Sequence, residues 1–168
     1  MTAREHLASR AGAARRHHGF TLIELMVTVA VMAIFSTLAA PEFRRLIAAQ
    51  RVRAAASALN ESLWLARSES IKRNTSVTFS FPNGSVSDWD IVVGTTAGGL
   101  PLLHHQDGFA AITSTTSTGA NQLFTFNPYG RLTTGTAWVK LEMASAAVSR
   151  WVCISSTGRA TVQESACP

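Results

Sequence analysis

Residues 19–41 read Gly19-Phe20-Thr21-Leu22-Ile23-Glu24-Leu25-Met26-Val27-Thr28-Val29-Ala30-Val31-Met32-Ala33-Ile34-Phe35-Ser36-Thr37-Leu38-Ala39-Ala40-Pro41. The run is apolar or weakly polar throughout, apart from one acid near its start. From Phe20 to Ala40 it is long enough, at about 1.5 Å per helical residue, to span a hydrocarbon core. Glu24 is the residue that makes the stretch unusual. A carboxylate at the centre of a membrane helix costs about 3 kcal/mol on insertion scales, so it persists where it has a partner or a task. Pro41 removes a backbone donor and clashes with the preceding turn, which predicts a kink there.

Upstream lies a polar, basic leader that ends Arg15-Arg16-His17-His18-Gly19. Together, the leader and Gly19-Phe20-Thr21-Leu22-Ile23-Glu24 resemble the processing site of type IV prepilins and type II secretion pseudopilins. The resemblance implies that a prepilin peptidase cuts between Gly19 and Phe20 and methylates the new N-terminus on Phe20. Two plainer readings compete. A secretory signal would be cleaved beyond its apolar core, near a small-x-small triplet. Ala39-Ala40 is a weak candidate, and Pro41 argues against it. A simple single-pass anchor would have no use for Glu24.

After cleavage, the cationic amine of Phe20 would stand at the positive end of a helix dipole, an unfavourable arrangement in lipid. The Glu24 of a neighbouring subunit is suited to neutralise that amine, which makes Glu24 an assembly residue. The plainer reading is that Glu24 lies at headgroup depth and snorkels.

Net charge points to topology more than to ligands. The leader holds Arg4, Arg10, Arg15 and Arg16 against Glu5, so it supplies +3 of the formal +5. Residues 20–168 keep eleven Lys/Arg and nine Asp/Glu, too balanced to signal nucleic-acid binding by global charge. Basic residues before a first span stay cytoplasmic, which places the rest of the chain across the membrane in a periplasm-like space. The only cysteines, Cys153 and Cys167, read as a disulfide in such a compartment. That bond would close a loop of about 15 residues and stabilise by about 3 kcal/mol. Two free thiols or a partial metal site are the alternatives, and metal is disfavoured because the histidines lie far away in sequence.

Beyond Pro41 the helical pattern resumes. Val52, Ala56, Leu59, Leu63 and Ala66 recur at three- and four-residue spacing, one apolar stripe on a polar segment. Asn74 is a suitable stop, since Asn tolerates the left-handed conformation that closes helices. One long helix over 21–73 is therefore expected. Strands follow at Val77–Phe81, Trp89–Val93, Leu123–Phe126 and Ala137–Met143, with a last hairpin of Trp151–Ile154 and Arg159–Val162. Leu100–His105 and Ala110–Thr113 are weaker strand candidates. Pro82-Asn83-Gly84 reads as a turn, and Thr113–Gly119, nearly pure Ser/Thr, as a surface loop. The expected class is α+β: a long N-terminal helix, its first half transmembrane, packed on an antiparallel β-sheet head. Residues 1–19 form the leader, 20–41 the transmembrane and assembly helix, and 42–168 a periplasmic pilin-like domain that includes the amphipathic half of the helix.

Three later stretches sharpen the resemblance. Ala66-Arg67-Ser68-Glu69-Ser70-Ile71-Lys72-Arg73-Asn74 is similar to the helix end of the GspH/FimT branch of minor pilins and pseudopilins. Phe126-Asn127-Pro128-Tyr129-Gly130-Arg131 resembles that branch's mid-domain turn. Cys153-Ile154-Ser155-Ser156-Thr157-Gly158-Arg159 resembles its C-terminal hairpin in the type IV pilus subset. The resemblance implies a non-catalytic filament subunit, either a minor pilin of a type IV pilus or a GspH-like pseudopilin of a type II secretion system. Its implied partners are the prepilin peptidase, other pilin or pseudopilin subunits and inner-membrane lipid.

Some FimT-like minor pilins bind DNA in natural transformation through a Gly-Arg-x-Arg motif. Here Gly158-Arg159-Ala160-Thr161 matches at Arg159 and departs at Thr161. Phosphate binding needs several converging cations, and Arg150, Arg131 and Lys140 are the available helpers. The preferred reading of Arg159 is a solvated strand residue, with DNA as the alternative partner.

Catalytic motifs are missing: no Gly-x-Ser-x-Gly elbow, no phosphate-binding glycine loop, no His-Glu-x-x-His helix. His104 and His105 are the head's only histidines, and neighbours on a strand point to opposite faces. Neither an enzyme, a cofactor nor a metal site is expected.

Overall fold

The computed structural model describes residues 19–82, 88–96, 101–109, 111–117, 123–133 and 135–168. Residues 1–18 of the leader expected over 1–19, and Asn83-Gly84 of the expected turn, lie outside the described residues. The chain divides between Ala39 and Ala40 into two units.

Helix α1 runs Leu22–Arg73, with Pro41 inside it. It is capped at its start by Thr21, whose Oγ1 accepts the Glu24 backbone N–H at 3.2 Å. Thr28, Ser36 and Thr37 return their hydroxyls to the carbonyls of Leu25, Met32 and Ile34 at 2.7–2.8 Å. Each hydroxyl is thereby satisfied inside the helix itself. A break in the helix separates Leu22–Thr37 from Ala39–Arg73. Among the described residues no single unbroken helix is long and apolar enough to cross a membrane, whereas this broken pair passes the test together. Pro41 accounts for the position of the break, because its ring meets the carbonyl four residues earlier, that of Thr37.

In the second unit the expected stripe is the core of the head. Val52, Ala56, Leu59, Leu63 and Ala66 are all buried, with Ala48 and Ala55 beside them. Asn74 closes the helix in the left-handed conformation, φ 50°. Eight strands follow: β1 Val77–Ser80, β2 Asp88–Val93, β3 Leu102–Asp107, β4 Thr113–Thr116, β5 Leu123–Phe126, β6 Ala137–Met143, β7 Val148–Ile154 and β8 Ala160–Gln163. They form two four-stranded sheets, β3-β2-β1-β5 and β4-β6-β7-β8. Every pairing is antiparallel.

The first sheet carries the aromatic core. Phe79, Trp89, Phe124 and Phe126 are fully buried, and the Phe79 ring lies 6.2 Å from both Trp89 and Phe124. The second sheet alternates strictly along β6, burying Ala137, Val139, Leu141 and Met143 and turning Trp138, Lys140 and Glu142 outward. This alternation is the period-2 signature of a sheet with one face on a core.

One sequence expectation is corrected. Thr113–Thr116, read as part of a Ser/Thr loop, is an edge strand paired with β6. Threonine is β-branched and suits an edge whose outer face meets water, so a polar composition did not exclude a strand. The neighbouring candidate at Ala110–Thr113 begins only at Thr113, since Ala111 has φ 66°.

Candidate functional site

Gly19 is exposed, and a Cβ built there meets nothing within 4 Å. Nothing in the described chain requires a glycine at this position. Phe20 next to it is 80% exposed. Leu22, Ile23, Met32, Ile34 and Phe35 are exposed as well, an apolar surface left uncovered among the described residues.

Glu24 occupies the third position of the helix, three residues after its cap Thr21. The pattern Thr21-x-x-Glu24 is the sequence signature of a capping box, and an acid in the first turn complements the helix dipole. The sequence reading assigned Glu24 to assembly and overlooked this local role, which the four-residue spacing could have shown.

In the second sheet, Cys153 of β7 is bonded to Cys167, with Cα atoms 5.7 Å apart and a sequence separation of 14. The bond ties the C-terminal tail across β8, where Cys153 pairs with Thr161. No free cysteine remains.

Arg159 stands exposed after the turn Ser155–Gly158. Its backbone closes that turn: Ser155 N–H donates to the Arg159 carbonyl at 2.9 Å, and Arg159 N–H donates to Ser155 Oγ at 3.2 Å. Two of the three candidate helper cations are engaged elsewhere. Arg150 pairs with Glu164 at 2.6 Å, and Lys140 with Glu142 at 2.6 Å. Of the three, Arg131 alone has no ionic partner among the described residues.

The two turns that carried the resemblance touch each other. Leu132 N–H donates to the Ser156 carbonyl at 3.2 Å. Gly130 and Gly158 both have positive φ, 70° and 78°. A Cβ at Gly158 would overlap the Gly130 carbonyl oxygen, and one at Gly130 would reach Ile71 Cδ1 at 2.6 Å. Glycine is thus required twice, for handedness and for close approach. Asn127 Oδ1 accepts the N–H groups of Tyr129 and Arg131 at 3.0 Å each, fixing the first turn. Arg67 of α1 packs at this junction, its guanidinium 5.4 Å from the Trp64 ring centroid.

His104 and His105 diverge as expected. His104 lies beside Ala58, Glu61, Ser62 and Leu65 of α1. His105 Nδ1 pairs with Asp90 Oδ1 at 2.6 Å on the neighbouring strand. That hydrogen bond raises the imidazole pKa; desolvation opposes it, and the charges of Asp90, Asp107 and Asp88 add to the rise. Among the described residues no group of three His, Cys, Asp or Glu side chains is placed to hold a metal.

Comparison with known proteins gives two family matches that follow one another along the chain, with residues 41–54 between them. Residues 14–40 match the prokaryotic N-terminal methylation motif. Residues 55–158 match the family described as Type II transport protein GspH. Two crystal structures of the type IV minor pilin FimU from Pseudomonas aeruginosa strain PAO1 share the fold. The form in space group P21 superposes with TM-score 0.61 at 22% identity, covering 68% of this chain and 89% of FimU. The form in space group P65 gives 0.57 at 24% identity, covering 66% and 91%. No curated protein matches the chain.

Proposed function

This chain belongs to the GspH family of type IV pilin-like proteins, and from that membership we propose that it is a minor pilin of a type IV pilus. The family is one of structural, non-catalytic subunits. The observation that carries the reading is the order of parts: a methylation motif at 14–40 precedes the GspH match at 55–158, and helix α1 runs through both. The uncovered apolar surface of residues 20–37 is the physical counterpart of that order, since such a surface needs lipid or other subunits around it.

In this reading a prepilin peptidase cleaves between Gly19 and Phe20 and methylates Phe20. The basic leader holds the N-terminus in the cytoplasm, a single helix anchors the protein in the inner membrane, and the head of residues 42–168 stands in the periplasm. Glu24 then has two successive duties. Before assembly it complements its own helix end; in the filament it faces the methylated amine of a neighbour. The disulfide and the Cys153–Arg159 hairpin favour the pilus over a GspH-like pseudopilin of type II secretion. DNA is the weaker partner reading, because Arg150 and Lys140 are neutralised by ion pairs and Thr161 supplies no charge.

Glu24→Val tests the assembly role. The variant is expected to be cleaved, to insert and to fold its head, yet to be depleted from sheared filaments. Wild-type abundance of Glu24→Val in those filaments would remove the assignment.

A further inference from the structure

The outer face of the second sheet carries a built pocket that filament assembly does not explain. In register across β6, β7 and β8 lie Trp138, Cys153 and Thr161, and in the next row Lys140, Trp151 and Gln163. Partners directly opposite on a sheet share a face, so both rows point away from the core. The bonded tail at Cys167 walls this face, and the resulting cavity holds about 430 Å³, within the range of about 300–1,000 Å³ usual for ligand sites. Trp138 forms one side of it and is braced by Trp151, edge to face, with ring centroids 5.0 Å apart.

Besides Ser155, whose hydroxyl is bonded within its own turn, four polar side chains line the cavity: Arg159, Thr136, Thr161 and Gln163. Among the described residues none of the four makes a side-chain hydrogen bond or ion pair. Arg159 is the only cation in the lining.

The geometry points to a saccharide site specific for an acidic sugar, a pyranose ring bearing a carboxylate. Each part of the lining matches one part of that ligand. The face of the Trp138 indole offers a flat, polarisable surface for the apolar C–H face of a pyranose. Threonine hydroxyls and the glutamine amide each donate and accept, the pairing that sugar hydroxyls need. The planar guanidinium of Arg159 fits a carboxylate through two parallel hydrogen bonds. A nucleic acid is the poorer match, since its affinity comes from neutralising several phosphates and the cavity holds one charge.

Binding is to be measured on the mature full-length chain in detergent micelles, by following the indole N–H resonances of its tryptophans. The probes are a hyaluronan tetrasaccharide, which carries uronates, the neutral chitin tetrasaccharide, and single-stranded oligothymidylate. Hyaluronan is expected to shift the Trp138 indole saturably and to bind about tenfold more tightly than the neutral sugar, the worth of one charge-assisted contact. Arg159→Gln should erase that preference while keeping the weak neutral binding. Gln163→Ala should weaken both sugars, and both variants should melt with the wild type. A Trp138 resonance that does not respond to hyaluronan overturns the proposal. So does an unchanged preference in Arg159→Gln, or oligothymidylate binding more tightly than hyaluronan.

Discussion

Helix α1 carries apolar side chains along both of its parts, and they meet opposite fates. Between Leu22 and Phe35 they are exposed, Leu22 at 75% and Phe35 at 65%, whereas Val52, Leu59 and Ala66 have no accessible surface. The difference lies in patterning. The second part concentrates its apolar residues on one stripe, which a sheet can cover, and leaves Arg51, Arg53 and Glu61 to water. The first part is apolar all round, so no single face can satisfy it and its cover must surround it. A stripe describes a fold; a full apolar circumference describes an environment.

Core substitutions give the largest test of this contrast. Leu59→Ala, at a fully buried site, should destabilise the head by about 4 kcal/mol in chemical denaturation. Ile34→Ala, in the uncovered part, should leave that unfolding transition in place. Equal losses would show that residues 22–37 contribute to the head and would break the comparison.

A smaller effect concerns the tail. Reduction of Cys153–Cys167 should cost about 3 kcal/mol and lower the head's melting temperature by several degrees. A melt indifferent to reductant would remove the bond from the account of stability.

The smallest effect is a pH dependence confined to the head. His105 binds its proton more tightly folded than unfolded, because Asp90 accepts its hydrogen bond. The stabilisation is therefore complete below the unfolded value of about 6.5 and is lost as pH rises through the raised folded value. His105→Gln should flatten the decline in melting temperature above about pH 6.5, a change expected to be slight at this exposed site.

Most of the head was legible in sequence because its signals were periodic. The stripe from Val52 to Ala66, the stop at Asn74 and the bounds of β5 and β6 followed from spacing and turn chemistry. The Ser/Thr run failed as a guide because composition alone does not separate a polar edge strand from a loop. The division into two sheets depends on long-range pairing, such as β1 with β5, which no local pattern encodes. At the N-terminus, Gly19 and Glu24 stood out by chemistry, whereas Thr21 passed unremarked beside them. The cavity at Trp138 was invisible, because it needs Trp138, Thr161 and the tail at Cys167 brought together by three strands and a disulfide.

The central claim is that the chain is a processed pilin, and its mature N-terminus tests that most directly. Mass spectrometry of protein extracted from membranes should find a chain beginning at Phe20 with one added methyl group on its amine. A chain that still begins at Met1, or one that begins after Ala40, would contradict the account.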